Sequence, residues 1–440
     1  MLLRYFKKLP ILASLVALSP GAAFAQATEA ATPNKGDTAW MLMSTVLVFF
    51  MILPGIGLFY GGMVRAKNML SVLTQIMVVA CVVCLLWIVY GYSLAFTAGG
   101  DFKEFIGDFS KLFLIGVSPA STTADGGLPE YVFICFQMTF AMLTPTLIVG
   151  SFAERMRFPA VLLFSILWFT FVYIPIAHMV WGGGLLAEWG ALDFAGGTVV
   201  HINAGIAGLV GCLLVGKRIG FGKELIAPHS LTMTMIGGAM LWFGWFGFNA
   251  GSALKADGGA GLAMINTFVA TAAAGLAWLL AEWILKGHPS MLGLVSGAIA
   301  GLVAVTPAAG FAGPMGSIVL GLLAGVVCFV FCSTIKNAFG YDDTLDVFGI
   351  HGVGGIIGAI ATGIVVAPAL GGTGLATGEY VMATQVWIQT KAVLVSLLWT
   401  GIGSLILFKL VGIFTPLRAS SEEEREGLDL AEHGERAYNY

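Results

Sequence analysis

Charge is what this chain has least of. Only 10% of its 440 residues are Asp, Glu, Lys or Arg, against about 25% in soluble domains. So few charges cannot clothe a water-facing surface, so most of the chain must face lipid or other apolar helices. The formal net charge of −3 gives no argument for a nucleic-acid partner. Strand-length alternation of apolar and polar residues is also missing, and with it the pattern of an outer-membrane β-barrel. Cysteines are few: Cys81, Cys84, Cys135, Cys212, Cys328 and Cys332 all lie in apolar stretches. Cys81-x-x-Cys84 has the spacing of a redox or zinc pair, but no second pair completes it, so these are read as small buried hydrophobes.

What is present is apolar length and glycine. Hydrophobic residues make up 58% of the chain and glycine contributes 60 residues, about twice the usual share; small residues let membrane helices approach closely. Runs long enough to span a bilayer recur at about 40–63, 71–97, 130–151, 158–182, 197–216, 229–251, 260–285, 291–308, 314–335, 346–367 and 386–413. The fold class expected is therefore an all-α polytopic membrane protein with about eleven transmembrane helices. Residues 1–25 read as a cleaved signal peptide: Arg4, Lys7 and Lys8 form a basic start, Ile11–Leu18 a short apolar run, and Ala23-Phe24-Ala25 a small-x-small cleavage site. Arg65, Lys67, Arg155, Arg157, Lys217, Arg218, Lys223, Lys286 and Lys336 fall in alternate loops. The positive-inside rule then sets the N-terminus outside and the C-terminus in the cytoplasm.

Within this greasy background the stretch 193–205, DFAGGTVVHINAG, places Asp193 and His201 in an apolar segment. About 150 residues later DVFGIHGVGG does the same with Asp346 and His351. The two match position for position, His201 with Gly205, Ile206 and Gly208 against His351 with Gly355, Ile356 and Gly358. Five spans end with each, so the chain divides into two inverted five-helix repeats, about 40–216 and 229–367, plus an extra helix at 386–413. Repeats of this kind build a site at their interface near the midplane. Each Asp suits the positive N-terminal end of its helix. At a rise of about 1.5 Å per residue, His201 lies about 12 Å from Asp193 and His351 about 7.5 Å from Asp346, converging from opposite sides. Two neutral imidazoles in contact can share a proton. Charging one at mid-bilayer costs at least about 2.5–3.5 kcal/mol, so such a site favours a neutral solute, or one that gives up its charge on the way in.

Phe136 and Phe140, four apart, share a face of the third helix, and Trp245, Phe246 and Phe248 precede Ser252 in WFGWFGFNAGS. On spacing alone these phenylalanines read as core or lipid-facing residues and Trp181 as an interfacial one. His178 reads as structural. His229 and His288 sit at helix ends, and His433 in the tail.

DFAGGTVVHINAG, WFGWFGFNAGS, SGAIAGLVAVTPAAG and DVFGIHGVGGIIG together resemble the ammonium transporter (Amt/Mep/Rh) family, in particular its bacterial branch, from about Trp40 to the C-terminus. The resemblance implies a homotrimer in the bacterial inner membrane, each subunit with its own hydrophobic pore. It implies that His201 and His351 line that pore, with Ser296 a smaller polar position on its inner part. Phe140 and Phe248, with Phe136 nearby, would close the outer gate. Trp181, Ser252 and Phe140 would recruit ammonium, and Asp193 would support that site electrostatically. Neither cofactor nor metal is expected. The acidic tail, 414–440, is similar in EREGLD and HGERAY to the family's regulatory tail, which implies a PII-type nitrogen signalling partner at the cytoplasmic face.

The function expected is ammonium/ammonia transport, with methylammonium a second substrate: recruitment as ammonium, deprotonation, and passage of ammonia beside the histidines. The alternative is an ammonium sensor that signals through its tail with little flux. A urea or water channel lacks its carboxamide-recognising groups or Asn-Pro-Ala half-helices here. A zinc enzyme lacks a third ligand at the depth of the histidines.

Overall fold

The computed structural model describes residues 32–124 and 126–439; the expected signal segment, 1–25, lies outside them. Among the described residues eleven helices are long and apolar enough to cross a membrane: Lys35–Met63, Ala66–Phe96, Glu130–Val149, Phe158–Glu188, Gly197–Val215, Leu231–Gly251, Gly258–Lys286, Met291–Ala308, Pro314–Phe339, Phe348–Val365 and Met382–Phe414. They are numbered here as the first to eleventh spans. Each overlaps the apolar run that announced it. Among the described residues β-pairing is confined to two isolated bridges, Thr122 with Pro129 and Met156 with Arg418.

Polar residues that hydropathy passes over set the helix starts. The Asn34 side chain accepts from Gly36 and Asp37 N–H, and Ser230, Asp257 and Ser290 cap the sixth, seventh and eighth spans in the same way. Four spans lie between the fifth and the tenth, so the two histidine-bearing helices run in opposite directions, as the inverted repeats require. Both begin with a π-helical turn, Gly197–Ile202 and Phe348–Gly352, and the histidine lies in it. Such turns are frequent at functional sites. The two helices cross where a Cβ on Gly205 would lie only 2.2 Å from Gly352 N. The glycines shared by the two repeats thus bring the imidazoles within reach of each other.

The face carrying the C-terminal tail is tied together by buried charge. Arg155 is fully buried, and its guanidinium donates to the carbonyls of Gly216, Ala153, Ser151 and Asp342 and to the Thr344 hydroxyl. Arg218 is held by both oxygens of Asp342 at 2.8–2.9 Å. The tail is no loose solvated end. It forms two short helices, Ser421–Glu426 behind a capping box and Leu428–His433, and Glu424 reaches back to Ile219 N–H and Arg418.

Candidate functional site

Asp193 organises the start of the fifth span. Its Oδ1 accepts from Gly196 and Gly197 N–H at 2.8 and 2.7 Å, and its Oδ2 from Thr198 and Val199 N–H at 2.8 and 3.2 Å. These four donors have no carbonyl partner at a helix N-terminus, and the helix dipole favours an anion there. Burial pushes the Asp193 carboxyl upward, while the N–H groups pull it down. Its own carbonyl accepts from Trp181 Nε1 at 3.0 Å, so one residue fixes both a helix end and an indole.

The tenth span corrects the symmetry expected of Asp346. Its N-terminal N–H, that of Phe348, goes to Asp343 Oδ2 at 2.7 Å, and Asp346 instead pairs with Lys336. The reason is local: Asp346 adopts the left-handed conformation (φ 59°), and its carboxylate meets the end of the ninth span, leaving the cap to the acid three residues earlier. Burial first, and Asp346 second, push the Asp343 carboxyl up to about 7. The run DDTLD offers three acids, and nothing in their spacing tells which one caps.

The histidines meet. Nδ1 of His201 lies 3.2 Å from Nδ1 of His351, with the rings 12° from parallel. His201 Nε2 is buried and has no hydrogen-bond partner in the protein. Trp245 lies 14° from parallel to the His201 ring at 5.3 Å, a neighbour that sequence reasoning named without giving it a role. Around the pair is a slot walled by Ile56, Tyr60, Leu143, Leu241, Trp245 and Ile299, with about 10 Å³ for the centres of water-sized molecules. That is about the least that admits one such molecule. No charged side chain lines it.

On the side of the pair away from the tail, Phe248 lies 5.9 Å from the His201 ring and stacks on Phe140 at 4.3 Å. Both rings are buried, as is Phe136, whose ring meets Phe140 at 5.0 Å. Beyond them opens a chamber of about 290 Å³ lined by Phe136, Phe140, Trp181 and Ser252, and also by Gln137 and Phe194. Trp181 stands edge-to-face on Phe140 at 5.6 Å. Ser252 Oγ donates to Phe248 O at 2.8 Å, so towards the chamber it can only accept. On the tail side Ser296 and Asp346 line a separate cavity of about 140 Å³, together with Glu282 and Lys286. Apart from Asp193 and Phe248, which line none of these spaces, the predicted site residues fall into three groups, and Asp346 belongs with the one on the tail side.

The other histidines stand apart. Both ring nitrogens of His178 face backbone carbonyls, Ala95 O at 3.0 Å and Lys103 O at 2.7 Å, a structural placement as read from the sequence. His229 bridges Val64 O and the Tyr438 hydroxyl. Among the described residues no group of three or more His, Cys, Asp or Glu side chains could hold a metal ion.

The profile of the Ammonium Transporter Family matches residues 39–438. The chain belongs to the ammonium transporter family. An ammonium transporter of Bacillus subtilis is 49% identical over 407 residues, 92% of this chain and 99% of that protein. Among solved structures, Saccharomyces cerevisiae Mep2 superposes with a TM-score of 0.81 at 35% identity, covering 89% of each chain. A sensor Amt protein superposes with 0.84 at 28% identity, covering 90% of this chain and 98% of that one. As a multi-pass membrane member of the ammonium transporter family, the chain has a paired-histidine slot whose walls come from six of the eleven spans among the described residues: the first, third, fifth, sixth, eighth and tenth.

Proposed function

We propose that the protein conducts ammonia across the bacterial inner membrane, taking it up as ammonium at the chamber of Trp181, Ser252 and Phe140. The observation that carries this reading is the 3.2 Å contact between two imidazoles in a slot without charged side chains. A cation gains about 0.5–2 kcal/mol from an aromatic face, and the Ser252 oxygen accepts one of its hydrogen bonds. Below Phe140 and Phe248 no charged side chain offsets a charge, so ammonium gives its proton to water on the chamber side and crosses as ammonia. Potassium has a similar size but no proton to lose. His201 Nε2 is free of protein partners and offers the passing solute a polar edge. The shared proton between the two Nδ1 atoms ties the rings into one rigid wall.

In this reading the tail face is cytoplasmic, the N-terminus lies outside, and the protein works as a homotrimer. A PII-type partner docks on the tail face. Lys217 and Lys223 are exposed there, whereas Arg218 is committed to Asp342 and is withdrawn from that surface. Methylammonium uptake into proteoliposomes, competed by ammonium, tests the proposal. Replacing His201 and His351 together by Leu should abolish uptake or its discrimination against potassium. A double variant with normal rate and selectivity refutes the pore assignment.

The second reading, an ammonium sensor with little flux, is favoured by one observation. The tail is clasped by Lys67 at the start of the second span and by Arg157 and Ile219 in the loops after the third and fifth spans, a route by which occupancy of the bundle could reach a partner. Ammonium binding without uptake in the same vesicles would select it.

A further inference from the structure

Trp245 forms one wall of the slot, and it is held by a chain of buried polar groups that take no part in the histidine contact. Its Nε1 donates to Thr306 Oγ1 at 3.0 Å. The Thr306 hydroxyl has Leu302 O at 2.7 Å and Asn249 Oδ1 at 3.2 Å as acceptors for its own proton. Asn249 Nδ2 donates to Thr267 Oγ1 at 3.0 Å, and Thr267 donates to Ala263 O at 2.7 Å. Thr306, Asn249 and Thr267 are 0% exposed and Trp245 is 2% exposed. The chain crosses the eighth, sixth and seventh spans and touches neither imidazole except through the indole.

We propose that Thr306 is a positioning residue for transport: by fixing the indole of Trp245 it holds the His201 ring parallel to that of His351 and sets which solutes fit beside the pair. The geometry supports this in three ways. Indole and both imidazoles form a parallel set, 14° between Trp245 and His201 and 12° between His201 and His351. His201 Nε2 makes no protein hydrogen bond, so its ring orientation depends on the Nδ1 contact and on the face of Trp245. A buried indole N–H seeks an acceptor, and Thr306 Oγ1 is the one within reach. Without it the ring is free to tilt, and the slot, with room for one water-sized molecule, changes shape where one methyl group separates methylammonium from ammonium. The inference rests on the reading that the paired histidines line the conducting path.

The test breaks the same hydrogen bond from both ends. Thr306→Val removes the acceptor at nearly constant volume, and Trp245→Phe removes the donor but keeps an aromatic face. The readouts are the methylammonium-to-ammonium uptake ratio in proteoliposomes and the ¹⁵N signals of the His201 imidazole, which a general loss of stability does not move. Each single variant is expected to shift the ratio about two- to ten-fold, the range that one hydrogen bond of ordinary strength supports. The double variant is expected to shift it no further, because both changes remove one interaction. Thr306→Ser should restore the wild-type ratio. Should Thr306→Val fail to fold, Trp245→Phe carries the same two readouts. Single effects that add, or single variants with unchanged ratio and imidazole signals, overturn the proposal. His201→Leu separates the two levels: if it too leaves uptake and ratio unchanged, the pore reading fails. If it alters them while the Thr306 and Trp245 variants do not, only this positioning chain fails.

Discussion

Asn68 and Asp429 cap each other's helices. Asn68, the residue before the long helix of the second span, turns its Oδ1 to Leu428 N–H at 2.8 Å, the first N–H of the tail helix Leu428–His433. Asp429, from that tail helix, turns its Oδ1 to Ser71 N–H at 2.7 Å. Both side chains are buried. A cap is worth about 0.5–2 kcal/mol, and here each cap also joins the tail to the bundle. Asn68→Ala or Asp429→Ala should therefore release the tail without unfolding the spans. Limited trypsin cleavage after Arg425, which is exposed, is expected to accelerate in either variant, and an unchanged cleavage rate would show that other contacts hold the tail.

Gly205 is expected to tolerate no side chain. A Cβ there would sit 2.2 Å from Gly352 N and 2.3 Å from Gly352 Cα, so the two histidine helices would have to separate. Overpacking of this kind costs about 1–3 kcal/mol or more, and backbone cannot move aside as a flexible side chain can. Gly205→Ala should lower the melting temperature in detergent and lengthen the contact between His201 and His351. Gly100→Ala, at a site with nothing within 4 Å, serves as the neutral control.

Asp193 has four backbone donors to satisfy, so its loss should be felt twice. Asp193→Ala leaves those N–H groups buried without an acceptor and is expected to cost about 2 kcal/mol or more, read as a drop in melting temperature. Asp193→Asn, which keeps one carbonyl acceptor, should cost less. Because Trp181 is anchored on the Asp193 carbonyl, uptake at low substrate concentration should fall in both before the maximal rate does.

Asp343 makes the tail face pH-dependent. Its carboxyl rises from 3.8 to about 7 on burial, with Asp346 adding to the rise and Lys336 opposing it. A group that holds its proton more tightly when folded contributes full stability below 3.8 and loses it as pH rises through about 7. Each unit in that window is worth about 1.4 kcal/mol at most. Thermal stability in detergent should decline from pH 5 to 8, and Asp343→Asn, which still accepts from Phe348 N–H, should flatten that decline. An identical slope in wild type and variant would assign it to other groups.

How much of this could be read before the fold was known differs from residue to residue. The spans were legible because a bilayer demands a continuous apolar run, and hydropathy reports that directly. The histidine pair was legible because its neighbourhood is repeated, down to Gly205 with Gly355 and Gly208 with Gly358. The capping role of Asp193 followed from its place just before a helix. That of Asp343 did not, since a left-handed residue at Asp346 re-aimed the chain. Trp245 and Thr306 were hidden for another reason: they lie 61 residues apart, and neither carries a local pattern that sets it apart from core.

The sequence alone thus determined the membrane class, the number of spans and the two imidazoles, because each leaves a one-dimensional trace in hydropathy, periodicity or repetition. Which nitrogen meets which, how narrow the slot is, and which acid and which threonine hold it were decided only when spans distant in the chain packed together. Hydrogen bonds and van der Waals contacts act over a few ångströms in space, and sequence separation carries almost no record of that distance.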